Sequence, residues 1–229
     1  MLKISENSLE WALKHIEKHG DTDIFPVPFE YKVIRHCWES NFKQYLLDQD
    51  LLKMSIRPHR RLITPKHRYG FRIATQLDPL DCIIFTALIY EIGQDIENYR
   101  IDKNMRVSFS SRFLPNDDGD MYDKKYNWNE YQLRSEELIG DIDNNTFGNE
   151  YVVIADIADF FPRIYSHPLE NALSACTSKN NHVLKIMRML SGWNYSVSYG
   201  IPVGPSASRL LAEIVLDDVD RSLISENIR

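Results

Sequence analysis

The stretch from Tyr151 to Phe161 reads YVVIADIADFF. Val152, Val153, Ile154 and Ala155 make a short apolar run with a β-branched bias, the pattern of a strand buried on both faces. The run ends on Asp156. A carboxylate at the exit of a buried strand is costly unless a metal ion or an arginine meets it, which makes Asp156 a candidate for chemistry. The alternative is that Asp156 caps a following helix, as acidic residues often do. The pattern alone leaves both readings open.

Further along, Tyr199 to Ala212 reads YGIPVGPSASRLLA. Gly200, Pro202, Gly204 and Pro205 make a rigid turn whose glycines admit a close approach of another backbone or a nucleotide. A helix is expected from about Ser206. Together the two stretches resemble motifs A and B of the reverse transcriptases. Motif A of that family runs aspartate, apolar, two variable residues, two aromatics, and Asp156-Ile157-Ala158-Asp159-Phe160-Phe161 fits it. Motif B usually reads Gly-x-Pro-Gln-Gly; here Val203 stands in the glutamine's place. Ile201-Pro202-Val203-Gly204-Pro205, followed by Ser208-Arg209 and a Leu-rich helix, is similar to the abortive-infection and defence-associated bacterial branch.

Upstream, Arg57 to Arg72 holds Arg57, Arg60, Arg61, Lys66, Arg68 and Arg72 with two histidines and no acid. The net charge of −6 argues mildly against a polyanionic ligand, but local charge decides where one docks. Arg60–Thr64 and Phe71–Gln76 are expected as two strands joined by a turn over Pro65–Gly70, with cations at the tip. Lys66 offers a point charge and Arg72 a planar fork for phosphate oxygens. The fingers hairpin of the reverse transcriptases carries Pro-Lys, Gly, Arg and then an Asp leading into a helix. Pro65-Lys66, Gly70, Arg72 and Asp81 follow that order.

The resemblance covers roughly residues 20–229 and implies an α+β fold. It would be the fingers and partial palm of a right-hand polymerase, helix-rich with a small antiparallel palm sheet. Residues 1–55 would be an N-terminal helical extension, 56–150 the fingers with an irregular insertion, and 151–229 a partial palm. It further implies RNA-directed synthesis of DNA in antiviral defence, with magnesium (or manganese) as cofactor. Asp156 would be the catalytic carboxylate and a metal ligand, with the carbonyl of Ile157 as another ligand. Lys66, Arg72, Phe161 and Gly204 would hold the deoxynucleotide, Phe161 as the gate against a ribose 2′-hydroxyl. Arg60, Arg61, Arg68 and Pro202 would meet nucleic acid. The implied partners are an RNA template or dedicated non-coding RNA, the DNA product and dNTPs. The family's aromatic-x-Asp-Asp motif C is not in the sequence, nor is a thumb. The expectation is therefore a piece of a longer enzyme, completed by its remainder or by a partner chain, or else a non-catalytic module that binds RNA or a partner. A scaffold with no nucleic-acid contact is the third alternative.

Composition sets outer bounds. Hydrophobic content of 43% and charged content of 26% fit a soluble globular chain with a real core. No apolar run approaches the roughly 18 residues of a membrane span, and no signal-peptide core opens the sequence. Cys37, Cys82 and Cys176 are odd in number and far apart, which reads as reduced thiols in a cytoplasmic protein.

The rest reads as scaffold. Residues 5–20 suggest an amphipathic helix with Leu9, Leu13 and Ile16 inward, His15 and His19 solvated, and Gly20 at its end. A helix from Phe29 to Leu47 is expected to bury Val33, Trp38, Phe42 and Tyr45. Leu80–Ile96 is a strongly apolar helix. Residues 97–150 are expected to be irregular, with one helix near Tyr126–Leu138. Asn116–Asp120 (NDDGD) is expected as a flexible acidic loop, since it lacks EF-hand spacing. Helices are expected over Pro168–Cys176 and Asn181–Leu190, the latter carrying solvated Lys185 and Arg188. Asp217-Asp218 continues the helical pattern from Ser206 to Ile224 and belongs on that helix's surface.

Overall fold

The computed structural model describes residues 1–144 and 151–226. The end of the expected insertion (145–150) and the last three residues of the expected palm segment (227–229) lie outside them. The architecture is α+β: helix-rich, with a two-stranded antiparallel sheet.

The core forms around helix α4, Pro79–Tyr99. Asp78 caps it by accepting from the N–H groups of Leu80 and Asp81, and Pro79 fits the first turn, where no amide hydrogen is needed. From Cys82 to Tyr90 the helix is apolar almost all round, and beyond that Ile92 and Ile96 keep one face buried. It is covered by α1 (Glu6–His19), α7 (Ser166–Cys176), α8 (Asn180–Asn194) and α9 (Ser206–Ser225). One continuous apolar cluster runs from Leu2 through α4 to Ile214.

Helix α1 begins where Ser5 accepts from Ser8 N at 3.1 Å and ends where Gly20, at φ 87°, donates to Ile16 O. Leu9, Leu13 and Ile16 are buried as expected, but His15 is buried too. It stacks on Trp11, and its Nδ1 bonds Gly119 O at 2.7 Å. Burial holds the imidazole down at about 4, hence neutral. The NDDGD segment is likewise built rather than flexible. The Asn116 side chain accepts from the N–H groups of Asp118 and Asp120, and buried Asp120 pairs with Lys18, His19 and Lys124. Two of these three partners come from α1, a long-range partnership that local composition does not announce.

The expected helix over 29–47 is broken into α2 (Glu30–His36), a π turn (Trp38–Phe42) and α3 (Lys43–Asp48). In α2, Tyr31 and Ile34 are buried while Val33 faces out; the wide turn buries Trp38 and resets the helical phase, so that in α3 Leu46 points inward and Tyr45 faces out. Lys185 is also inside, donating to Met54 O at 2.9 Å, while exposed Arg188 donates to Leu52 O; neither cation is simply solvated. On α9, Asp217 is buried and accepts from Ile101 N at 2.9 Å and Arg221 Nε at 2.6 Å, with Asp218 on the surface as expected. Helix α5 spans Trp128–Asn144.

The sheet is the basic hairpin alone. Strands β1 (Arg60–His67) and β2 (Gly70–Gln76) pair with Arg60 opposite Gln76 and Ile63 opposite Ile73, with an irregularity between Pro65 and His67. The turn is tighter than Pro65–Gly70. The expected palm sheet does not form among the described residues. Tyr151–Ile157 has no strand pairing, and Ile154 is 92% exposed rather than buried. A doubly buried strand needs ladder partners on its edges, and both strands among the described residues are committed to each other.

The hairpin is rooted by Arg57. Its Nη1 donates to Asp81 Oδ1 and its backbone N–H to Oδ2, both at 2.7 Å, and Asp81 is 1% exposed. Burial nevertheless raises the Asp81 carboxyl above its usual range. Arg57→Ala should lower unfolding stability by about 3 kcal/mol, because it strands a buried carboxylate. Urea titration reads this directly, and an unchanged midpoint would show that the pair does not anchor the hairpin.

Candidate functional site

The base of the hairpin meets the Gly-Pro turn. Thr75 N–H of β2 donates to Val203 O at 2.9 Å. From the other side the turn receives the chain that follows Asp156: Ile201 N–H donates to Phe161 O at 3.0 Å and Gly200 N–H to Ile164 O at 2.7 Å. Tyr165 and Tyr199 form an isolated antiparallel bridge, and Asn194 Nδ2 donates to Gly200 O at 2.6 Å. Three separate stretches of sequence thus converge on residues 199–204.

Between them lies a cleft of about 270 Å³, lined by His59, Arg61 and Thr75 from the hairpin side, by Pro162, and by Asn194 and Gly200–Val203 opposite. No carboxylate lines it among the described residues, although the chain carries a net charge of −6. Arg61 Nε donates to His59 Nε2 at 3.1 Å, which places the imidazole proton on Nδ1. Desolvation, with Arg61 adding to it, pushes His59 below its ordinary value, so the ring is neutral at neutral pH.

Gly204 has φ +124°, a conformation that L side chains rarely adopt, and a Cβ there would lie 2.5 Å from Thr22 Oγ1. The glycine's open side is thus taken by Thr22, from the segment after α1. Beside Thr22, Asp21 is 3% exposed, with the Gln76 side chain and the local backbone facing its carboxylate.

The sequence-derived candidates divide into two groups. Arg61, Pro202, Gly204 and the backbone of Phe161 come together at or behind the cleft. Arg60 lies at the start of β1, lining a shallow recess of about 110 Å³ with Gln76 and Glu30. Lys66, Arg68 and Arg72 are exposed on the outer hairpin, with Arg68 over the Tyr69 ring at 5.2 Å. Asp156 and Ile157 are exposed in the unpaired segment, and Asp156 makes no hydrogen bond or ion pair among the described residues. Neither reading of Asp156 is met in its local form: it ends no buried strand and caps no helix, since α6 (Phe160–Arg163) is preceded by Asp159 in the left-handed region. Phe161 packs partly against the core, edge-on to Phe160.

For a divalent metal the fit is incomplete. Among the described residues no group of three or more His, Cys, Asp or Glu side chains converges. Asp156 and a neighbouring carbonyl would supply part of one oxygen shell and not a two-ion site.

Sequence reasoning missed His59, Thr75, Asn194 and Asp21. The GDTD run after α1 offered a hint for Asp21, because an acid just past a helix-ending glycine has no helix dipole to serve. No protein-family model matches this chain, and no curated protein does.

Asp21 gives the site a measurable pH dependence. Burial raises its carboxyl from 3.8 to about 6; Gln76 and the local backbone offset this only partly. The folded chain holds the proton over a range where the unfolded chain has lost it. The associated stability is fully present below the unfolded value and is lost as pH rises through about 6. Asp21→Asn keeps the shape and removes the charge. It should match the parent near pH 4 and exceed it by about 1–3 kcal/mol near pH 8. Parallel urea midpoints at both pH values would contradict this.

Proposed function

We propose that this chain is the fingers and part of the palm of an RNA-directed DNA polymerase of the defence-associated reverse transcriptase type, working in the cytoplasm. The observation that carries the reading is the junction of the basic hairpin, the chain after Asp156 and the Gly-Pro turn in one cleft with no carboxylate among its described lining residues. Those are the three stretches whose residues resemble the family's fingers hairpin, motif A and motif B.

In this reading Lys66 and Arg72 bind the triphosphate of a dNTP, using charge-assisted hydrogen bonds that are stronger than neutral ones. Phe161 sits where a 2′-hydroxyl would clash. Arg60, Arg61 and Arg68 run along an RNA template or dedicated RNA and its DNA product. Asp156 and the Ile157 carbonyl would hold magnesium or manganese, which when bound stabilises charge on the transferring phosphoryl group. The remaining carboxylates come from the rest of the polymerase or from a partner chain.

The second reading is a non-catalytic module that binds RNA or a partner polymerase. Its supporting observation is the exposure of the apolar run Tyr151–Ile157, with Val153 84% and Ile154 92% accessible.

Titration with a fluorescent deoxynucleoside triphosphate separates the two. Lys66→Ala and Arg72→Ala should each weaken binding by about tenfold, the loss of one hydrogen bond to a charged group. Phe161→Ala should narrow the preference for deoxy- over ribonucleotides. RNA binding with no nucleotide binding would favour the second reading and remove the first.

A further inference from the structure

At the mouth of the cleft one residue departs from ordinary backbone geometry. Tyr195, which closes α8, has φ 55° and ψ −89°. A bulky residue at positive φ brings its Cβ against backbone, and such strain costs of order 1–3 kcal/mol unless the surroundings impose it. Here they do: Tyr195 N–H donates to Ser191 O at 3.1 Å, and the next-door Asn194 is tied to Gly200 O. Those bonds require a left-handed turn, which glycine would make without strain. They do not require an aromatic ring.

Nor does packing call for one. The Tyr195 side chain is 73% exposed, and its hydroxyl has no hydrogen-bond partner among the described residues. The ring's neighbour is His59, with centroids 6.0 Å apart and planes 29° from parallel. On the cleft's same side, Tyr165 and Tyr199 are 62% and 42% exposed. Opposite stands Arg61, with no carboxylate among the described lining residues.

A strained, exposed aromatic beside a cleft that presents Arg61, and no carboxylate among the described residues, has the two elements that hold single strands: a π face for a base and a cation for the backbone. We infer that Tyr195 is a stacking platform for one unpaired base of a nucleic-acid strand, with His59 as the wall behind it and an adjoining phosphate on Arg61. This rests on the polymerase reading for the choice of ligand and adds the residue that grips a base at that site. Tyr195 acts by binding and positioning; it touches no reacting atom.

The test uses the full chain and a single-stranded RNA of about 10 nucleotides, within the site size of such modules, carrying 2-aminopurine. Stacking should quench the probe on binding. Tyr195→Gly should leave the unfolding midpoint equal or higher, because the strain is relieved. The same variant should weaken RNA binding by about tenfold or more, the usual worth of one stacked base, and abolish the quench. Tyr195→Phe should retain both affinity and quench. If Tyr195→Gly binds as tightly as the parent while Arg61→Ala does not, the contact is electrostatic only and the platform is overturned, with the polymerase reading intact. If the parent chain does not bind RNA at all, the platform and the polymerase reading fall together.

Discussion

The hydrogen bond from Thr75 N–H to Val203 O is the constraint on which the site depends. A two-stranded hairpin is marginal in water when it has nothing to pack on, and most of this one is exposed, including Ile63 at 73% and Phe71 at 70%. Its stable end is the base, where Ala74 and Thr75 are buried, Arg57 is locked to Asp81, and the turn after α8 supplies an acceptor. Those contacts turn a mobile ribbon into one wall of a cleft. The opposite wall is fixed in the same way, by Phe161 and Ile164 accepting from the turn's own amides. Without the Thr75 bond the cations would still be present, but they would not face anything.

The distribution of charge follows from the same packing. The chain is acidic overall, yet many of its acids are occupied with internal partners. Glu97 and Glu213 hold buried Arg100 and Arg112 between α4, the loop after it and α9, and Asp217 accepts from Ile101 N. A buried guanidinium needs such company, since desolvating an unpaired charge costs several kcal/mol. Glu213 sits high in its titration for the reason that Asp81 does, desolvation, with the facing arginine drawing it back. With these acids inside, the hairpin's cations keep their field, and local charge outweighs the total.

Much of the frame was legible in the residues. The apolar density of 80–96, the glycine that ends α1 and the two strands around the Pro65–Gly70 turn are local signals, and all of them describe what forms. The misreadings of polar residues share one cause. His15, Asp120, Lys185 and Asp217 are polar residues buried by partners far away in sequence, as in the Asp120 pairing with Lys18. The run Tyr151–Ala155 is the converse, an apolar stretch whose composition specifies a strand but whose ladder partners are not among the described residues. Strand propensity describes a residue that fits a sheet; it does not supply the sheet. Of the site, the Gly-Pro turn and the cations were visible, whereas Tyr195 was not, because its distinction is a backbone angle.

The account stands or falls on the closure of the hairpin base against the turn. The Thr75 amide is bonded to Val203 rather than to β1, so only that closure protects it from solvent. Amide hydrogen exchange followed residue by residue by NMR is therefore the most direct measurement. Thr75 should exchange far more slowly than Arg68 at the hairpin tip, and with the protection of the α8–α9 turn. Exchange of Thr75 as fast as Arg68 would mean that the cleft has no fixed wall, and the account would be wrong.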